Sequence, residues 1–196
     1  MNISLIVTDA SPLITLAAAG SLDVLLLSRQ RVIVPDMVRH EIVRFPEKPG
    51  ATEVMEWIRT NGPDRVMVGS TTEYEEFLVL QQSNPNVRIR NRGELAAAEI
   101  LTRELESTIE AAILLFEDSD VRKTNFLIRL PDNVLILSTS EFLFGLEKMK
   151  LIKNAKAILA KAVSLRGNAV LTRHVDSTAG AQAILGKWPK HLRPRG

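Results

Sequence analysis

Two spacings of apolar residues alternate along this chain. Short, nearly unbroken apolar runs rich in β-branched residues fall at residues 3–7, 31–34, 66–68, 111–116 and 133–137. A short run with no polar alternation is the pattern of a strand covered on both faces. Between these runs, apolar residues recur at helical spacing. Leu22, Leu25 and Leu26 mark a helical piece over 21–28, and Met37, Val38, Ile42 and Phe45 another after Pro35-Asp36. Further helices are predicted over 51–60, 72–82 with Thr71 or Thr72 as cap, 95–105, 118–129 and 138–149. Ser11 followed by Pro12 reads as an N-cap with proline in the first turn, opening a helix over 13–19 that stops at Gly20. Strands separated by helices call for crossover connections and a parallel sheet covered on both faces. The expected fold class is α/β: a three-layer α/β/α sandwich around a central, mainly parallel sheet, with a C-terminal helical extension.

The pattern changes beyond Leu151. Residues 154–165 form an alanine-rich amphipathic helix, 169–172 a short strand or a continuation of that helix, and the final stretch reads as poorly ordered. The expected division is therefore residues 1–152 as one domain and 153–196 as a basic extension. The apolar face of the 154–165 helix is the surface a homodimer would use.

Composition narrows the function. A chain of 196 residues, 45% hydrophobic, can bury one good core and carry an appendage. With no cysteine, disulfide frameworks, thiolate zinc sites and cysteine nucleophiles are excluded. No apolar run approaches the roughly eighteen residues that span a bilayer, and the N-terminus lacks the basic start and cleavage site of a signal peptide. The expectation is a cytoplasmic protein with no membrane partner. The net charge of +2 conceals an asymmetry: residues 1–147 carry 14 Lys+Arg against 22 Asp+Glu, whereas residues 148–196 carry 11 Lys+Arg against Asp176 alone. An acidic body with a basic tail suits a protein that gathers carboxylates around cations and meets a polyanion. A merely solvated basic tail suits the same numbers.

The candidate chemistry lies where the strands end. Asp9 follows the first apolar run, and Glu117-Asp118 follow the fourth, so all three should reach one edge of the sheet, where open α/β folds place their ligand sites. Glu41 sits at the margin of the buried stripe of the helix after Asp36, and Glu94 opens a helix directly after Gly93. Singly, each acid has a structural role open to it as a cap, a dipole partner or a solvated side chain. Together, four carboxylates from separate segments stay ionised only with cations among them. An oxygen-only ligand set favours Mg²⁺ or Mn²⁺ over zinc.

The segments Val-Thr-Asp9-Ala-Ser-Pro-Leu-Ile, Val-Ile-Val-Pro-Asp36-Met-Val-Arg-His-Glu41-Ile, Arg-Gly-Glu94-Leu-Ala-Ala-Ala and Leu-Leu-Phe-Glu117-Asp118-Ser-Asp-Val-Arg122 stand in this order. In that order, over about residues 1–152, the chain resembles a PIN domain of the bacterial and archaeal branch. The resemblance implies a metal-dependent nuclease, commonly a ribonuclease and often the toxin of a VapBC-like toxin-antitoxin pair, with RNA as substrate and an antitoxin protein as partner. Carried over by position, Asp9, Glu41, Glu94 and Asp118 are the catalytic acids, and Asp9, Glu94, Glu117 and Asp118 the ligands of Mg²⁺ or Mn²⁺. Ser11, Asp120, Arg122 and Thr139 are supporting candidates.

Two positions depart from the pattern. Glu117 stands where an aspartate is expected, which moves the carboxylate outward by one methylene and leaves Asp120 to compensate. Ser138 replaces the usual glycine before Thr139. The alternative function is a catalytically weak PIN fold that binds nucleic acid or a protein. A dehalogenase-like phosphatase would need a second aspartate two residues after Asp9, where Ser11 stands.

Overall fold

The computed structural model describes residues 3–87, 91–106, 110–117 and 130–166. In chain order the elements are β1 (Ile3–Thr8), α1 (Ala10–Ala18), a 3₁₀ turn (Leu22–Leu26), β2 (Arg31–Pro35), α2 (Asp36–Val43), α3 (Ala51–Asn61), β3 (Val66–Gly69), α4 (Thr72–Ser83), α5 (Arg92–Leu105), β4 (Ala111–Leu115), β5 (Val134–Leu137), α6 (Thr139–Lys148) and α7 (Ala155–Arg166). The five strands form one sheet in the order β3-β2-β1-β4-β5, and every pairing is parallel.

β1 is central because both its neighbours are apolar strands in matching register. Val7 lies beside Ile33 on one side and Leu114 on the other, and Thr8 beside Leu115. The chain runs outward from β1 through β2 to β3 and then returns to β4 and β5 on the opposite side. That reversal opens a crevice at the carboxyl ends of β1 and β4.

The side chains of β1 divide between the two faces, as a pleated strand requires. Ile6 joins a core built with Leu13 and Leu16 of α1, Val54 and Trp57 of α3, and Phe142 and Leu146 of α6. Leu5 and Val7 face Ala97, Ile100 and Leu101 of α5 on the other side. Ala96 and Ala97 are fully buried, so the short side chains do let α5 lie close to its neighbours. The architecture is the expected three-layer α/β/α sandwich.

The boundaries differ in instructive places. Helix α1 begins at Ala10, so Ser11 is its second residue and not its cap. The piece over 21–28 is a 3₁₀ turn, and Phe45 lies beyond the end of α2. Helix α7 packs on α1 and α6, burying Ala155 and Ala162 completely, with Ile158 and Leu159 against the main core. Part of the apolar face expected to serve a homodimer is therefore covered by the chain itself, while Leu165 stays exposed. The helix predicted over 118–129, the strand over 169–172 and the terminal stretch lie outside the described residues. Among the described residues no helix is long and apolar enough to cross a membrane.

Candidate active site

Asp9 follows the last residue of β1, and its backbone N–H donates to the Leu115 carbonyl at 3.1 Å, which ties it to the end of β4. Its extended backbone (φ −81°, ψ 172°) is that of an N-cap residue, yet its side chain makes no capping hydrogen bond. One reason is chemical: the third residue of α1 is Pro12, which has no N–H to offer. The carboxylate turns instead toward α5. Its Oδ1 stands 3.3 Å from the point a Cβ on Gly93 would occupy, and Oε1 of Glu41 stands 3.2 Å from the same point. A side chain at 93 would press both oxygens, so this glycine is the floor on which two carboxylates, one from the end of β1 and one from α2, meet.

The neighbouring helices hold that floor in place. Arg92, directly before Gly93, pairs with Glu73 of α4 and lies over the Phe77 ring at 5.6 Å. Asn91 adopts the left-handed conformation (φ 64°) that asparagine tolerates better than most residues. Glu99 of α5 accepts hydrogen bonds from the Thr72 and Glu73 N–H groups at the start of α4. Asp36, at the start of α2, accepts from the Thr71 N–H at 2.9 Å and its hydroxyl at 2.6 Å. Helices α2, α4 and α5, two of which carry site acids, are thus linked by polar contacts at their N-termini.

Electrostatics mark the same spot. Burial pushes the Asp9 carboxyl up to about 7, aided by the charges of Glu94 and Glu117 and opposed by the Ala10 and Ser11 N–H groups. Burial, with the charges of Asp9 and Glu94, pushes Glu41 up to about 8. The Gly93 N–H and the Lys48 ammonium oppose that rise. Two carboxyls raised this far mark a place that lacks positive charge. Glu117, also buried, is held by the Thr139 hydroxyl at 2.6 Å.

The structure thus brings together Asp9, Glu41, Glu94 and Glu117, with Thr139 behind Glu117. Asp118, Asp120 and Arg122 lie outside the described residues. Among the described residues no three His, Cys, Asp or Glu side chains are assembled as a ready metal cage. The donor chemistry nonetheless fits Mg²⁺ or Mn²⁺: the ligands are carboxylate oxygens, two of them share one glycine floor, and Mg²⁺ needs only one or two carboxylates besides water.

Two contributors escaped the sequence analysis. Ser138 caps α6: its hydroxyl accepts from the Glu141 N–H, and Glu141 Oε2 accepts from the Ser138 N–H at 2.7 Å. The signal was present as Ser-x-x-Glu before an apolar run. Ser138 thereby fixes the first residue of α6, which is Thr139, and with it the bond to Glu117. Lys48 carried no signal, because only the folded loop brings its charge near Glu41.

An all-parallel sandwich with carboxylates converging where β1 and β4 end defines a nuclease-like α/β domain. A family model described as a PIN domain matches residues 5–163, well over half of the chain, and the chain belongs to the PIN domain family. No curated protein matches it.

Proposed function

We propose that this protein is a metal-dependent endoribonuclease. The observation that carries the proposal is the meeting of Asp9 and Glu41 over Gly93, with both carboxyls raised into the neutral range. Asp9, Glu94, Glu117 and Asp118 would hold Mg²⁺ or Mn²⁺, with Glu41 beside them. Bound there, the ion supplies a water of lowered pKa and neutralises charge developing on the phosphate oxygens.

The chain's own residues do the rest. Gly93 leaves room for the Asp9 and Glu41 carboxylates at the start of α5, where its own N–H supports Glu41. The Thr139 hydroxyl donates to the Glu117 carboxylate and helps fix its orientation. Asp9 and Glu41 bring the negative charge that makes the site bind cations. No side-chain nucleophile is required.

Manganese titration calorimetry and RNA cleavage, measured on wild type, Asp9→Asn and Glu41→Gln, test this. The expected result is Mn²⁺-dependent cleavage lost in Asp9→Asn together with Mn²⁺ affinity, and no cleavage in EDTA. Cleavage that persists in EDTA overturns the mechanism; RNA bound but never cut, with no Mn²⁺ uptake, replaces it with a nucleic-acid-binding module. As a finer reading of the same activity, the protein acts in the cytoplasm as the toxin of a toxin-antitoxin pair. Growth arrest on expression, relieved by Asp9→Asn, supports that role, and harmless expression of a cleaving enzyme removes it.

A further inference from the structure

Four residues after Glu41, one helical turn along the same chain, stands an aromatic ring that the core does not use. Helix α2 ends at Val43, but the Arg44 N–H still bonds the His40 carbonyl and the Phe45 N–H the Ile42 carbonyl, so the helical path carries on to Phe45. The ring is 38% exposed. Two cations attend it: Lys48 Nζ lies 4.1 Å from the ring centre and the Arg44 guanidinium carbon 5.6 Å.

This grouping is built by the backbone. The Lys48 N–H bonds the Phe45 carbonyl at 3.1 Å across a turn with Pro46 at its second position, a place proline favours. The turn is then pinned to α1, because Gly50, at φ +95°, lies so close that a Cβ there would stand 3.0 Å from both the Ile14 carbonyl oxygen and Ala17 Cβ. The Lys48 charge is also felt at Glu41. An exposed ring with two cations, held on the same helical path as Glu41 of the acidic site, has the parts of a single-strand nucleotide platform: a face for a base and charges for the adjoining phosphates. An ammonium resting on an exposed ring gains less than a base stacked there, so an incoming base displaces Lys48 and frees it for phosphate.

We propose that Phe45, with Lys48 and Arg44, forms a stacking subsite for an unpaired nucleotide of the RNA held next to the scissile phosphate. This rests on the nuclease reading for what lies in the crevice, and on the loop geometry for where the neighbouring nucleotide goes.

The test measures fluorescence anisotropy of a short labelled single-stranded RNA on the full chain carrying Asp9→Asn, with Phe45→Ala, Phe45→Trp or Lys48→Ala added. Cleavage and Mn²⁺ calorimetry follow with the same three substitutions in the otherwise unchanged chain. Phe45→Ala is expected to weaken binding roughly tenfold, Phe45→Trp to restore it, and an abasic oligonucleotide to bind equally with or without the ring. Lys48→Ala is expected to weaken binding and lower the salt slope by about one. Mn²⁺ affinity should stay unchanged in Phe45→Ala, which separates a lost subsite from a damaged acidic site. Wild-type cleavage with Phe45→Ala binding as before overturns the subsite alone and leaves the ring to a protein partner. Ring-dependent binding without cleavage overturns the nuclease reading alone, and a protein that binds no RNA overturns both.

Discussion

The Asp9 carboxyl is buried at the start of α1, and that burial has a measurable cost. Its carboxyl and that of Glu41 are raised to about 7 and about 8 in the folded chain, against ordinary values near 4 in an unfolded one. Between those limits the folded state holds more protons than the unfolded state, so stability of the metal-free protein falls as pH rises from about 4 to about 8. The contribution is fully present below the unfolded values and lost through the folded ones. Asn and Gln imitate the neutral forms. Asp9→Asn and Glu41→Gln should therefore raise the Tm in EDTA at pH 8, by roughly 2–4 °C for each kcal/mol recovered, and have little effect at pH 4. Thermal unfolding across that range checks it. A Tm unchanged or lowered by Asp9→Asn at pH 8 would overturn the buried-charge account of Asp9, because asparagine would serve equally well as a cap.

Secondary-structure elements act here as levers for individual side chains. Helix α6 starts where the reciprocal bonds of Ser138 and Glu141 make it start, and its first residue is Thr139, the partner of Glu117. The serine in place of glycine is thus a cap rather than a loss. Ser138→Ala should cost about 1 kcal/mol of stability, whereas Ser138→Gly should cost only a few tenths. Denaturant midpoints of the two variants distinguish them. Equal costs would mean that the buried hydroxyl contact to Ser140, at 3.1 Å, outweighs the cap. The Ser-x-x-Glu signature was legible in the sequence; its bearing on Glu117 was not, because the link runs between residues 22 positions apart.

Across the whole molecule, the extension that the sequence sets off beyond residue 152 holds two parts that differ. Helix α7 covers apolar surface on α1 and α6, while residues 167–196 carry five Lys or Arg against Asp176. Truncation after residue 152 should therefore destabilise the body by about 2 kcal/mol or more, from the apolar area it exposes. Truncation after residue 166 should flatten the salt dependence of RNA binding, because it removes five cations. Chemical unfolding and binding at several salt concentrations measure both. An unchanged salt slope would leave the terminal segment no part in RNA binding.

The linear chain determined its strands, because unbroken apolar runs have no low-energy state except between two covering layers. It offered Asp9, Glu94 and Glu117 as candidates as well, because each follows or opens an element that an apolar pattern makes recognisable. Helix starts were less legible: the Ser11-Pro12 pair pointed to a start that Ala10 and the extended Asp9 backbone overrule. Only the tertiary structure decided which acids share a space. Asp9 and Glu41 are 32 positions apart in sequence, and what joins them is Gly93, where the missing side chain lets two carboxylates approach one helix terminus. Burial and the proximity of like charges are properties of packing, and it is packing that raises their pKa values.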